Sequence, residues 1–299
     1  MKSLKNIVVL FLAYFSCIAR SIFCNKSIQV RDIDTTIETL VSSDKSLIRF
    51  GDGEIALIRG FDLRFQKYCP ELGNRLKQVL ANNDDSLMIA IPDVFTINTL
   101  KQYNDSERLA WIRESFFSYP IYKSQSNGKC YYNSLVSRLY LPFKCDYKIC
   151  ENRFNNLKQV WAGKDILIVE GKYSRLGVGN DLFSNVNSIK RILCPQKNAY
   201  SKIKQIEDAI LDIYNENYFD LVILALGPTA KMIVFDLYKV MRLLDLGHID
   251  IEYEWFLRKA KNKISIPGKA VNEAKDGYDN LELELDNERY MYEIIREIN

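Results

Sequence analysis

Asp165-Ile166-Leu167-Ile168-Val169 runs straight into Glu170-Gly171-Lys172-Tyr173-Ser174-Arg175-Leu176-Gly177-Val178-Gly179-Asn180-Asp181. An uninterrupted apolar run, rather than one alternating with polar residues, is what a strand covered on both faces requires. The glycine-rich, cationic loop that follows ends where a helix should begin, which makes the stretch a unit of an α/β fold. Ligands of such folds bind beyond the carboxyl ends of the strands. Backbone amides, Lys172 and Arg175 are able to face a diphosphate there. The spacing is neither a Walker loop nor the usual dinucleotide fingerprint, so a glycine turn with solvated charges explains it equally well.

The pattern repeats outward in both directions. Leu221 to Leu226 is a second apolar strand, followed by Gly227-Pro228-Thr229 and a helix starting near Ala230. Ser46-Leu47-Ile48 leads into Arg49-Phe50-Gly51-Asp52-Gly53-Glu54, Ser86 to Ile91 is closed by Pro92, and Ile189 to Leu193 reads as a further strand. Helical spacing places Ile33, Ile37, Leu40 and Val41 on one face of a helix over Asp32 to Ser43, and predicts others over Leu72 to Ala81 and Ala199 to Glu216. Strands alternating with helices predict an α/β domain with a largely parallel sheet flanked by helices. Residues 98 to 160 are less regular; their aromatics, from Tyr103 and Trp111 to Tyr140, suit either a cleft wall or core.

Three further constellations sit at strand ends. Asp52 and Glu54 offer oxygen ligands two positions apart for a hard divalent cation. Gly51 and Gly53 add backbone freedom for a close phosphate. The alternative is a turn, with the acids serving the helix dipole. Free amides at the helix start beyond Gly227 and Pro228 suit a nucleotide, while Thr229 is better read as a helix cap. His248, Asp250, Glu252 and Glu254 fall at alternate positions and share one face of an extended strand. Four ionisable groups on one buried face are costly without a use, so one of them is a candidate catalytic base.

The chain has 299 residues, 47% of them hydrophobic, which is ample for a core. Its net charge of +3 gives no footprint for nucleic acid. Seven scattered cysteines without a Cys-x-x-Cys pair, and His248 as the single histidine, argue against structural zinc and for a reducing compartment. Residues 1–27 form an apolar leader around Ile7 to Phe15 that is short for a membrane span. Three readings stand: a helix in the membrane interface helped by Lys2, Lys5, Arg20, Lys26 and Arg31, a helix packed on the domain, or a cleaved signal segment. Residues 276–299 form an acidic C-terminal segment, read as a peripheral helix or loose tail outside the domain.

Taken in order, Arg49 to Glu54, Ser137-Arg138, Ser174 to Phe183, Ala225 to Ala230 and Gly247 to Trp255 resemble the motifs of the GT-D fold glycosyltransferases of bacteria, over about residues 30 to 275, which makes 28–275 the expected domain. The resemblance implies a Rossmann-like domain using a nucleotide-diphosphate sugar, uridine diphosphate foremost, and Mn2+ or Mg2+ held by Asp52 and Glu54. It assigns Arg49, Gly51, Gly53, Arg138, Lys172, Arg175, Gly177, Gly179, Asn180, Gly227, Pro228 and Thr229 to the donor, and His248 with Asp250 or Glu252 to the acceptor side as catalytic residues. The implied acceptor is a growing surface or protein-linked glycan, with the enzyme cytoplasmic, at the inner face of the cell membrane. A nucleotide-dependent phosphotransferase or hydrolase, and a non-catalytic membrane-associated scaffold of glycan assembly, are the competing readings.

Overall fold

The computed structural model describes residues 2–23, 28–126, 128–144, 146–279, 281 and 288–299. Nine strands form one sheet: β1 (Gln29–Val30), β2 (Ser46–Arg49), β3 (Leu87–Ile91), β4 (Cys130–Asn133), β5 (Asp165–Gly171), β6 (Ser188–Cys194), β7 (Leu221–Ala225), β8 (Leu243–Asp245) and β9 (Ile294–Glu297). Every pairing is parallel, in the order β1-β4-β3-β2-β8-β7-β5-β6-β9. The apolar runs become the central strands because each must bury both faces: β2, β3 and all of β5 after Asp165 are buried. The strand order reverses at β2, which has β3 on one side and β8 on the other. Such a reversal opens a crevice at the carboxyl ends of the strands.

Eleven helices cover the sheet among the described residues: α1 (Lys2–Ile22), α2 (Ile33–Ser42), α3 (Asp52–Ile58), α4 (Pro70–Ala81), α5 (Ile97–Leu100), α6 (Asp105–Ser126), α7 (Tyr147–Lys158), α8 (Ile203–Glu216), α9 (Pro228–Leu237), α10 (Ile249–Leu257) and α11 (Glu288–Glu293). Asp32 caps α2 by accepting from the Thr35 amide at 2.7 Å. α1 packs on α6. Among the described residues no helix is long and apolar enough to cross a membrane.

Four expectations change. The run from Asp245 to Glu254 is not an extended strand. β8 ends at Asp245, Gly247 turns the chain at φ +40°, and His248 opens α10. Asp250, Glu252 and Glu254 are buried along with the residues between them, so this helix has no polar face to betray its 3.6-residue period. Residues 98 to 160 hold the long α6 and α7. The buried row of α6 is Ile112, Ser115, Ser118, Tyr122 and Ser126, and serines do not write an apolar stripe.

The acidic C-terminal segment is not peripheral. β9 pairs with β6 at the sheet edge, and the Arg191 guanidinium of β6, 2% exposed, donates to Glu293 at 2.7 Å and to Glu170 at 2.6 Å. Much of the run Glu282 to Glu288 lies outside the described residues. Finally, Gly51 is extended at φ −137° and Gly53 lies inside α3, so neither uses a conformation reserved for glycine. What Gly53 provides is room: a Cβ there would meet Leu63 at 3.3 Å. Cys17, Cys69, Cys130 and Cys194 are free, whereas Cys150 is disulfide-bonded.

Candidate active site

A cleft of about 830 Å³ opens where the strand order reverses, at the ends of β2, β8, β7 and β5. Its floor is a buried charge network. Arg49 closes β2 onto β8: its amide donates to Asp245 Oδ2 at 3.1 Å, its Nε to the Asp245 carbonyl at 2.6 Å, and its Nη1 to Ser137 Oγ at 2.5 Å. Gly247 is required beside it, because a Cβ at that positive-φ position would lie 2.4 Å from Arg49 Nη2. On the other side Lys231 of α9 reaches Asp245 Oδ2 at 3.0 Å, Glu54 Oε1 at 3.3 Å and the Gly227 carbonyl at 3.1 Å. One ammonium thus ties α3, β8 and the β7–α9 turn together.

The two carboxylates of the Asp-Gly-Glu motif therefore differ. Glu54 is buried, with one oxygen facing Lys231 and the other accepting from the Gly51 amide at 2.8 Å. Asp52, one residue into α3, is exposed to the cleft and makes no hydrogen bond or ion pair among the described residues. Glu114 of α6 lines the same cleft, and burial together with the Asp52 charge pushes its carboxyl up to about 7. A buried carboxyl raised in part by a neighbouring carboxylate suits a cation that would offset both charges. No group of three or more metal-binding side chains occurs among the described residues. Mg2+ and Mn2+ need no such cage when one or two carboxylates act with substrate phosphates. Asp52 with Glu114 fits that donor set; Glu54 fits as the residue that orients the α3 terminus.

Cations share the cleft with this pair. Arg59, Arg64, Arg113, Arg138 and Lys263 line the cleft. Arg138 Nη2 meets Glu273 Oε1 at 2.5 Å, and Glu273 Oε2 lies 3.0 Å from His248 Nε2. Burial opposes ionisation of Glu273, but its contacts with His248 and Arg138 outweigh it and hold the carboxyl down. Burial also pushes His248 down to about 3, against the pull of Glu273, so the imidazole is neutral at pH 7. Trp111, Phe117 and Phe65 supply aromatic wall, while Tyr103, Tyr122 and Tyr131 are core.

Of the residues singled out from sequence, the cleft gathers Arg49, Gly51, Asp52, Gly53, Glu54, Arg138, Gly227, His248 and Asp250. Lys172, Arg175, Gly177, Gly179, Asn180, Pro228, Thr229 and Glu252 do not line it; Gly171, Ser174 and Leu176 represent their loop there. Lys172 pairs with Glu297 of β9 at 3.0 Å, and Arg175 donates to the Gly268 carbonyl at 2.7 Å. Asp250 accepts from the Gly177 amide and from Asn180 Nδ2, each at 2.8 Å, and meets Lys269 at 2.7 Å, so it braces the glycine loop from behind. Glu252 accepts from the Tyr140 and Leu141 amides at 2.9 and 2.6 Å and fixes the loop after Arg138. Thr229 does not cap α9, whose N-cap is Gly227; its buried hydroxyl has no hydrogen-bond partner among the described residues. Lys231, Glu114 and Glu273 were missed. A lone cation within Ala230-Lys231-Met232-Ile233-Val234 is the one signal the sequence carried.

The family model for the glycosyltransferase GT-D fold matches residues 47–274, which takes in every strand bordering the cleft. The chain belongs to the GT-D fold glycosyltransferases. This GT-D chain superposes with a TM-score of 0.84 and 37% identity on a structure described as the highly conserved domain of unknown function 1792 with a distinct glycosyltransferase fold, covering 92% of this chain and 97% of that one. A structure described as a new glycosyltransferase of the same domain class from Streptococcus sanguinis gives 0.81 and 36%, over 91% and 100%. Among curated proteins it is 40% identical over 250 residues to a probable glycosyl transferase, Gly, of Streptococcus gordonii, and 35% identical over 275 residues to the glycosyltransferase GlyD of Streptococcus pneumoniae serotype 4. Those alignments cover 83% and 91% of this chain but only 36% and 33% of the relatives, so the chain spans about a third of their length.

Proposed function

We propose that this GT-D domain transfers a glycosyl group from a nucleoside diphosphate sugar, uridine diphosphate foremost, to a saccharide acceptor. The observation that carries the reading is Asp52, a carboxylate without an ion pair among the described residues, at a helix start in the sheet's crevice that Arg59, Arg64, Arg113, Arg138 and Lys263 also line. Asp52 and Glu114 would hold Mn2+ or Mg2+, which supplies positive charge to the diphosphate as it leaves. The chain's own part is electrostatic and positional. Arg59, Arg64, Arg113, Arg138 and Lys263 offset the negative charge that builds on the leaving group, and the Glu54–Lys231–Asp245 network fixes the α3 terminus. His248, backed by Glu273, faces the acceptor side, while Asp250 and Glu252 hold the flanking loops.

The acceptor in this reading is a growing surface or protein-linked glycan, assembled in the cytoplasm at the inner membrane face. The test is a panel of nucleotide sugars incubated with the protein and Mn2+, with sugar and nucleotide products followed by chromatography. Release of uridine diphosphate with sugar transfer or slow hydrolysis, lost in Asp52→Asn, is expected. Inorganic phosphate from ATP without sugar transfer would support a phosphotransferase instead, and no metal-dependent turnover of any donor would support a scaffold.

A further inference from the structure

α1 has two faces of different fate. The inner one is fastened to the domain: Ala13 and Cys17 are fully buried, Arg20 Nε donates to the Phe95 carbonyl at 2.8 Å, and the Ile97 amide donates to Ser21 Oγ at 2.8 Å. The outer one is apolar and bare. Ile7 is 61% exposed, Phe11 61%, Phe15 52% and Ile22 70%, with Val8, Leu12 and Tyr14 beside them, and no charged residue occurs from residue 6 to 19. Contiguous exposed apolar surface of this extent marks an interaction site.

We infer that this outer face of α1 docks the domain onto an anionic lipid surface. Charge selects the occupant. Apart from Arg20, which the domain holds, residues 1–31 carry Lys2, Lys5, Lys26 and Arg31 and no acid; the first carboxylate is Asp32. A basic, acid-free segment complements anionic headgroups. A second copy would bring the same acid-free segment and only like charges. Among the described residues no helix is long and apolar enough to cross a membrane, and the pinned inner face of α1 leaves it lying along the domain, as interfacial helices lie. Behind it, the face of α6 bearing Trp111, Glu114 and Phe117 lines the cleft, so docking would set that wall close to the bilayer.

The experiment is flotation of the full chain, without nucleotide sugar, on vesicles of phosphatidylcholine alone or with about a third phosphatidylglycerol. Binding to the anionic vesicles is expected, weakened about tenfold or more in Phe11→Asn/Phe15→Asn and by several-fold in Lys2→Gln/Lys5→Gln or in high salt. Circular dichroism checks that both variants fold. Wild type that stays at the bottom of the gradient with anionic vesicles overturns the inference. So does a concentration-dependent dimer in solution that Phe11→Asn/Phe15→Asn abolishes, since a second copy then covers the face. Because no donor is present, this result is independent of the transferase reading.

Discussion

Lys231 is the residue on which the site's rigidity turns. Its ammonium is 5% exposed and stands between Glu54 and Asp245, whose side chains are 10% and 0% exposed. Removing one partner of a buried pair leaves uncompensated charge, so Lys231→Met should cost about 3 kcal/mol in urea unfolding. A loss below about 1 kcal/mol would show that Arg49 alone neutralises Asp245. Gly247→Ala tests the same network from the backbone side. A Cβ there meets Arg49 at positive φ, and a cost of about 2 kcal/mol is expected in the same assay. Asp52 stands out in the sequence as an acid opening a helix just past a strand end, where serving the helix dipole is its competing use. Lys231 was not legible, because its partners lie 177 positions before it and 14 after it in the chain, and only the fold unites them.

At the scale of elements, β9 and α11 close the sheet edge that β6 would otherwise expose. Truncation before Glu288 removes one of the two carboxylates on the buried Arg191 and uncovers β6, so the shortened chain should lose roughly 3 kcal/mol or more and aggregate on heating. An unchanged melting midpoint would mean the strand is ornamental. The central strands were readable because both faces of each are buried and their apolar runs are continuous. α10 and α6 were not, for opposite reasons: one is buried all round with acids inside it, the other presents serines to the core. The glycine loop after β5 was read correctly as a loop, yet Asp250 and Glu254 hold Gly177 and Asn180 away from the cleft lining, a tertiary fact no local spacing records.

The whole molecule carries a pH signature. Burial pushes the carboxyls of Asp93, Glu114 and Glu252 up to about 7. Each keeps a proton in the folded state that the unfolded chain releases near pH 4, so the stability they contribute is complete at low pH and is lost as pH rises through 7. The thermal midpoint should therefore fall between about pH 5 and 8, and Glu252→Gln, which keeps an acceptor for the Tyr140 and Leu141 amides, should make that fall shallower. A midpoint that climbs over this range in wild type would contradict the assignment. Sheet order is the other whole-molecule property: the reversal at β2 puts Asp52, Glu114 and seven lysine and arginine side chains around one crevice. The most direct test of that arrangement is calorimetric titration of uridine diphosphate into wild type and Asp52→Asn, with and without Mn2+. Binding that requires Mn2+ in wild type and vanishes in a folded Asp52→Asn is the expected result. Equal binding by both proteins, or binding indifferent to Mn2+, would contradict it.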